Sequence, residues 1–208
     1  MKLYTYDPAP NPQRLTYFLA HKGIDIETVQ IDMMKNEQLS DEYHVINPAG
    51  TIPALVLDDG TILTEVIGIC AYLEALYPEQ PLLGTTALEK AEVLSWDHKL
   101  FNSLMMAVAE ALRNGTPAFE NRALPGPLDV AQIPELVTRG KLRLTHAWPA
   151  LNEELADKNW LVGDALTLAD IDLLICSGFS KWVKCPPPED CANIHAHAAR
   201  TKAALGLK

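Results

Sequence analysis

The sequence predicts an α/β domain followed by an all-helical one. Three observations carry this: strand-like alternation stops after Thr64, a stretch with linker composition covers residues 79–86, and everything beyond reads as helix or loop. The domains expected are residues 1–78 and 87–208, with 79–86 between them. A chain of 208 residues with 48% hydrophobic composition can bury the cores of two small domains.

Leu3 to Tyr6 alternates like a short strand, and the prolines of Asp7-Pro8-Ala9-Pro10-Asn11-Pro12 stop it. Asn11 reads as the N-cap of a helix with Pro12 at its first position, Leu15, Phe18 and Leu19 on its apolar face, and Gly23 as its stop. Ile24 to Ile31 supplies a second strand, and the polar stretch from Asp32 to Asn47 a short helix. Pro53 to Leu57, the turn Asp58-Asp59-Gly60 and Thr61 to Thr64 spell an antiparallel hairpin, because Asp-Gly supplies the positive φ of a tight turn. Val66, Ile69, Cys70, Leu73, Leu76 and Tyr77 fall at helical spacing until Pro78 ends the pattern. The order βαβ, short helix, ββα is that of a thioredoxin-like mixed sheet with helices on its faces.

Beyond the linker, Phe101, Leu104, Met105, Val108 and Leu112 form one face of a long helix. Pro117 to Pro127 reads as a loop, and a second helical region runs from about Asp129 to Asp157 with Trp148-Pro149 inside it. The second domain is therefore expected to be a helical bundle. Thr167-Leu-Ala-Asp170, ahead of the apolar run Ile171 to Cys176, has the spacing of a capping box. As a cap alone, Asp170→Ala is expected to cost about 1 to 2 kcal/mol and to leave ligand binding unchanged.

A net charge of −10 and a pI near 5.0, without a Lys/Arg cluster, exclude a nucleic-acid partner. No apolar run reaches the ~18 residues of a membrane span, and the first residues lack a signal peptide's apolar stretch. A cytoplasmic protein is expected. Cys70, Cys176, Cys185 and Cys191 show neither a CxxC pair nor a secreted framework and read as mostly buried thiols in a reducing compartment. His195 and His197 cannot share a helical face and Cys185 and Cys191 lack ligand spacing, so no metal is expected.

Three segments resemble the glutathione transferase superfamily: Leu3 to Leu15 with Lys22-Gly23-Ile24, Asn47-Pro48-Ala-Gly-Thr-Ile52-Pro53 with the run from Asp58 to Glu65, and Trp160-Leu-Val-Gly-Asp with Thr167-Leu-Ala-Asp170. Their order and spacing match over essentially the whole chain. The resemblance implies that Pro53 is cis and that the backbone of Ile52 pairs with the cysteinyl unit of glutathione as an added strand. It assigns Glu65 to the ammonium of the γ-glutamyl end and the N–H of Val66 to its carboxylate, with Val66 standing where the family usually has Ser or Thr. It assigns Gln38 to the glycyl carboxylate.

At the catalytic position the sequence departs from the family, since Pro10 falls where a serine usually sits and cannot donate. The adjacent Asn11 matches bacterial members with a Pro-Asn pair in this loop, and its amide can donate to sulfur while it also caps the helix. Tyr6 is the competing donor, although strand alternation turns it away from the face that Thr5 occupies. Met105, Met106 and Trp182 are candidates to line the pocket of a second substrate. The resemblance thus implies an enzyme that activates glutathione, as cosubstrate and without another cofactor, for attack on an electrophile or disulfide, in a homodimer. The alternative is a non-catalytic binding or assembly module on the same fold, favoured by Pro10 and Val66.

Overall fold

The computed structural model describes residues 1–207. Its contacts divide the chain into two compact units, one of residues 1–80 with 124–128, the other of residues 81–123 with 129 onward. The segment 124–128, which the sequence reads as part of a loop of the helical domain, thus belongs with the first unit.

The first unit holds strands β1 (Lys2–Thr5), β2 (Glu27–Gln30), β3 (Ala54–Val56) and β4 (Ile62–Thr64) in one sheet of order β2-β1-β3-β4. β1 and β2 are parallel, while β3 pairs antiparallel with β1 and β4. Helix α1 (Pro10–Lys22) makes the crossover, α2 (Asp41–His44) lies ahead of β3, and α3 (Val66–Leu76) follows β4 and packs on α1. Leu3 and its register partner Leu55 are buried, as are Leu15, Phe18, Ile69 and Leu73 of α1 and α3. Tyr4 points to the opposite face, edge-on to Tyr43 of α2 at 6.2 Å. The alternation seen in the sequence therefore sorts side chains onto two covered faces.

Details differ from the sequence reading. α1 begins at Pro10 with Ala9 as its N-cap, so Asn11 is its second residue and makes no cap. Pro10, rather than Pro12, fills the first helical position that suits proline. The short helix expected between residues 32 and 47 is α2, and two 3-10 turns, Met33–Lys35 and Glu37–Leu39, precede it. The Lys22 ammonium is enclosed by Glu74 at 2.8 Å and by the carbonyls of Glu79 and Gln80, which ties the end of α1 to the chain after α3.

The second unit is all helical: α4 (Ala87–Leu100), α5 (Met106–Gly115), α6 (Pro134–Glu154), α7 (Leu168–Phe179) and α8 (Ala192–Ala204). The expected long helix starts at Ala87, and a single π-turn at Phe101–Met105 joins α4 to α5. Arg143 of α6 donates to the Asn102 carbonyl in that turn, supplying a partner where the regular ladder is interrupted. α5 and α6 approach closely at Gly140, where a Cβ would lie 2.5 Å from the Ala107 carbonyl, so no larger residue fits.

A second capping box, Thr86-x-x-Glu89, opens α4, with the same spacing as Thr167-x-x-Asp170. Glu89 accepts from the N–H groups of Thr85 and Thr86 and from the Thr85 hydroxyl, and these bonds pull its carboxyl down to about 2. The depressed value means that the cap is fully present above the ordinary carboxylate pKa of about 4.5 and is lost as pH falls through about 2. Acid unfolding of wild type should therefore include a component in this window that Glu89→Gln lacks; superimposable profiles would contradict it.

Candidate functional site

The first turn of α1 has an unusual supply of donors. Pro10 and Pro12 carry no N–H, and the N–H of Gln13 goes to the Ala9 carbonyl at 3.0 Å. Asn11 therefore offers the one unpaired backbone N–H of that turn among the described residues, at the positive end of a helix with no acidic side chain in its first turn. The Asn11 side-chain oxygen accepts from Arg14 at 3.2 Å, and its Nδ2 has no partner among the described residues. One half-buried residue thus combines a free main-chain donor and a free amide donor.

The stretch before β3 is held firmly. Asn47 accepts the Ala49 N–H at 3.1 Å and donates to the Thr51 carbonyl at 2.8 Å and the Thr51 hydroxyl at 3.0 Å. Tyr43 donates to the same carbonyl at 2.7 Å, and burial pushes its hydroxyl up to about 12, so it stays a neutral donor. Gly50 has φ 61°, and a Cβ there would lie 2.9 Å from the Leu39 side chain and 3.1 Å from the Gln38 carbonyl. These contacts explain the Asn-Pro-Ala-Gly-Thr run: a side chain that closes its own turn, a glycine for a left-handed, crowded position, and a fixed backbone ahead of Ile52.

The Ile52–Pro53 bond is cis. The β3 ladder begins at Ala54, and neither the N–H nor the C=O of Ile52 has a backbone partner among the described residues. The Ile52 side chain packs with Ile31 and Tyr43 in a cluster that also takes Ala9 and Tyr6. That cluster brings the N-terminus of α1 and the open backbone of Ile52 together. Alternation turns Tyr6 away from the buried Thr5, as expected, and it packs on the cluster that holds Ile52.

Gln38 lies in the 3-10 turn packed on Gly50, only 3% exposed, with its side-chain oxygen unpaired. Buried amides normally find partners, so this one has unused hydrogen-bonding capacity. Thr64 faces Ala54 across the antiparallel hairpin, so Glu65 leaves β4 at the end where Pro53 enters β3. Glu65 is the exposed N-cap of α3 at φ 65°, a conformation that costs a non-glycine residue ~1–3 kcal/mol and clusters at functional sites. Its carboxylate caps nothing. Val66 is 4% exposed, so its side chain belongs to the core and it can offer a ligand its backbone alone.

In the second unit Met105 is buried in the core, whereas Met106 and Trp182 are exposed, Trp182 edge-on to Phe179 at 5.3 Å. Asp170 closes its capping box on Thr167 and also accepts from the Leu161 N–H and from His197, two partners with no local sequence signal. His195 is turned to the Pro188 carbonyl.

Sequence models of two domains match the chain: the glutathione S-transferase N-terminal domain over residues 9–76 and the glutathione S-transferase C-terminal domain over residues 131–200. The chain is 28% identical to glutathione S-transferase 2 of Saccharomyces cerevisiae, in an alignment covering 100% of this chain and 88% of that protein. Among solved structures, a glutathione S-transferase domain-containing protein of Marinobacter aquaeolei VT8 superimposes with a TM-score of 0.88 at 30% identity, covering 98% of each chain. Gtt2 of Saccharomyces cerevisiae does so with a TM-score of 0.88 at 27% identity, covering 99% of each. With a thioredoxin-like unit, a helical unit and these relatives along its whole length, the chain belongs to the glutathione S-transferase superfamily.

Proposed function

We propose that this member of the superfamily binds glutathione on its first unit and lowers the pKa of the bound thiol for attack on an electrophile or disulfide. The observation that carries the proposal is the first turn of α1, where Asn11 has two unpaired donors at the positive end of a helix. In this reading the cysteinyl backbone of glutathione pairs with Ile52, ahead of Pro53. Glu65 takes the γ-glutamyl ammonium, the N–H groups around Val66 take its carboxylate, and Gln38 takes the glycyl carboxylate. The thiol proton leaves to solvent. The thiolate then forms a bond to an electrophilic carbon as the leaving group departs with its electron pair, or to one sulfur of a disulfide as the other leaves as thiolate.

The energetics are of the right order. A free thiol near pKa ~8.5 is only ~3% ionised at pH 7, and lowering it by two units needs ~2.7 kcal/mol. A helix N-terminus contributes ~0.3–1 kcal/mol, up to ~2 when partly buried. A hydrogen bond to a charged group adds ~1.5–3 kcal/mol. Retention of the protein on glutathione resin and its release by free glutathione are the expected results; passage through the column would contradict the proposal and favour the non-catalytic module.

The same reading includes a two-fold homodimer in a reducing, cytoplasmic setting. Leu88 and Leu94 of α4 and Leu142 of α6 are exposed, a cost that burial in a symmetric partner would relieve. The four cysteines are free, and no helix among the described residues is long and apolar enough to cross a membrane. Sedimentation at micromolar concentration should show twice the mass of the 22.9 kDa chain; a species of that mass alone would contradict the dimer.

A further inference from the structure

We propose that Arg14 is a positioning residue that decides which end of the Asn11 amide meets the glutathione sulfur. The proposal rests on the reading of Asn11 as the thiolate donor. An asparagine side chain has two ends of nearly equal shape and opposite chemistry: the N–H2 favours a thiolate and the oxygen repels one. Nothing in the backbone of α1 chooses between them. Arg14, three residues on along the same helix, chooses by its chemistry, because a guanidinium has donors and no acceptor. Its Nη1 lies 3.2 Å from the Asn11 oxygen, so this contact is favourable in one amide orientation only, the one that leaves the N–H2 as the free end.

Burial makes the choice firm. Arg14 is 5% exposed and has further interactions, so a swing of its guanidinium out to solvent would give up both its packing and those interactions. The pair is three residues apart on one helical turn, which keeps the two side chains on neighbouring positions however the loop before α1 moves. The two prolines sharpen the need: with Pro10 and Pro12 unable to donate, a reversed Asn11 amide would leave the sulfur a single main-chain donor and an opposing oxygen.

The test is a double-mutant cycle read by the pH titration of the bound thiolate's ultraviolet absorbance. Arg14→Met keeps the aliphatic stem and removes every donor. In the wild-type background it should raise the bound thiol's pKa by about one unit, a tenfold loss of thiolate below the pKa. In the Asn11→Ala background it should add little, because there is no amide left to orient. A shift of equal size in both backgrounds would show that Arg14 acts by its charge alone, and no shift in the wild-type background would show that it does not act on the thiol; either overturns the proposal. Arg14→Lys keeps the charge but loses the fixed fork, and serves where Arg14→Met does not fold. A rise of about half a unit is expected for it, and an unchanged pKa would overturn the proposal. Failure of the underlying reading is separate, since it would appear as no glutathione binding, or no change of thiol pKa in Asn11→Ala.

Discussion

Replacing Asp170 with alanine is expected to destabilise the helical unit by about 4 kcal/mol, well beyond the loss of a helix cap. The carboxylate is fully buried and accepts from the Leu161 N–H at 2.9 Å, from the Thr167 N–H and hydroxyl at 2.8 Å each, and from His197 Nε2 at 2.8 Å. Alanine leaves at least three buried donors without an acceptor, each costing ~1–3 kcal/mol. Asp170→Asn keeps one acceptor oxygen and should recover part of the loss. Urea denaturation measures the effect through the midpoint, with glutathione affinity by calorimetry as the control. Affinity is expected to stay within about twofold, because Leu161, Thr167 and His197 all lie in the second unit. A loss below about 2 kcal/mol would mean that Asp170 is a cap and little else.

The second large effect concerns Asn11. Asn11→Asp replaces an amide donor with a negative charge beside the sulfur, and should raise the pKa of bound glutathione by more than about one unit. Because Ala9 is the N-cap and the Asn11 side chain caps nothing, folding should be unaffected; the new carboxylate also has Arg14 as a partner and sits at the favourable end of the helix. Tyr6→Phe is the necessary comparison, since the Tyr6 ring packs in the same cluster as Ala9 and Ile52. It should change the thiol pKa little. A rise of about a unit in Tyr6→Phe with none in Asn11→Asp would move the donor role to the phenol.

Much of this architecture is legible in the sequence because local signals agree with it. The Asp58-Asp59-Gly60 turn, the apolar period of α3 and the Thr167-x-x-Asp170 spacing each report an element that the structure contains. Misreadings arise where two signals compete. Prolines at both 10 and 12 satisfy the rule for the first helical position, so the sequence leaves open which begins α1, and with it whether Asn11 caps the helix or stands inside its first turn. Alternation separates Tyr6 from Thr5, yet only the packing of Tyr43 and Ile52 shows what Tyr6 meets.

Other features are non-local and leave no pattern to read. His197 meets Asp170 across 27 residues, and Tyr43 steadies the Thr51 carbonyl from another element. The positive φ of Glu65 has no signal at all, since glutamate is not a residue that favours it. The π-turn at Phe101–Met105 is likewise silent, because its residues continue the apolar face of the helices on either side.

Glutathione is expected to bind with its sulfur at the start of α1 and to be ionised there. The direct measurement is the pH titration of thiolate absorbance for glutathione bound to the wild-type protein, with the free thiol titrated alongside. A bound pKa about two units below the free value is expected, so that most of the bound glutathione is thiolate at neutral pH. Glutathione that binds but titrates like the free thiol would contradict it: the first unit would then be a peptide-binding surface, and the donors of Asn11 would serve no chemistry.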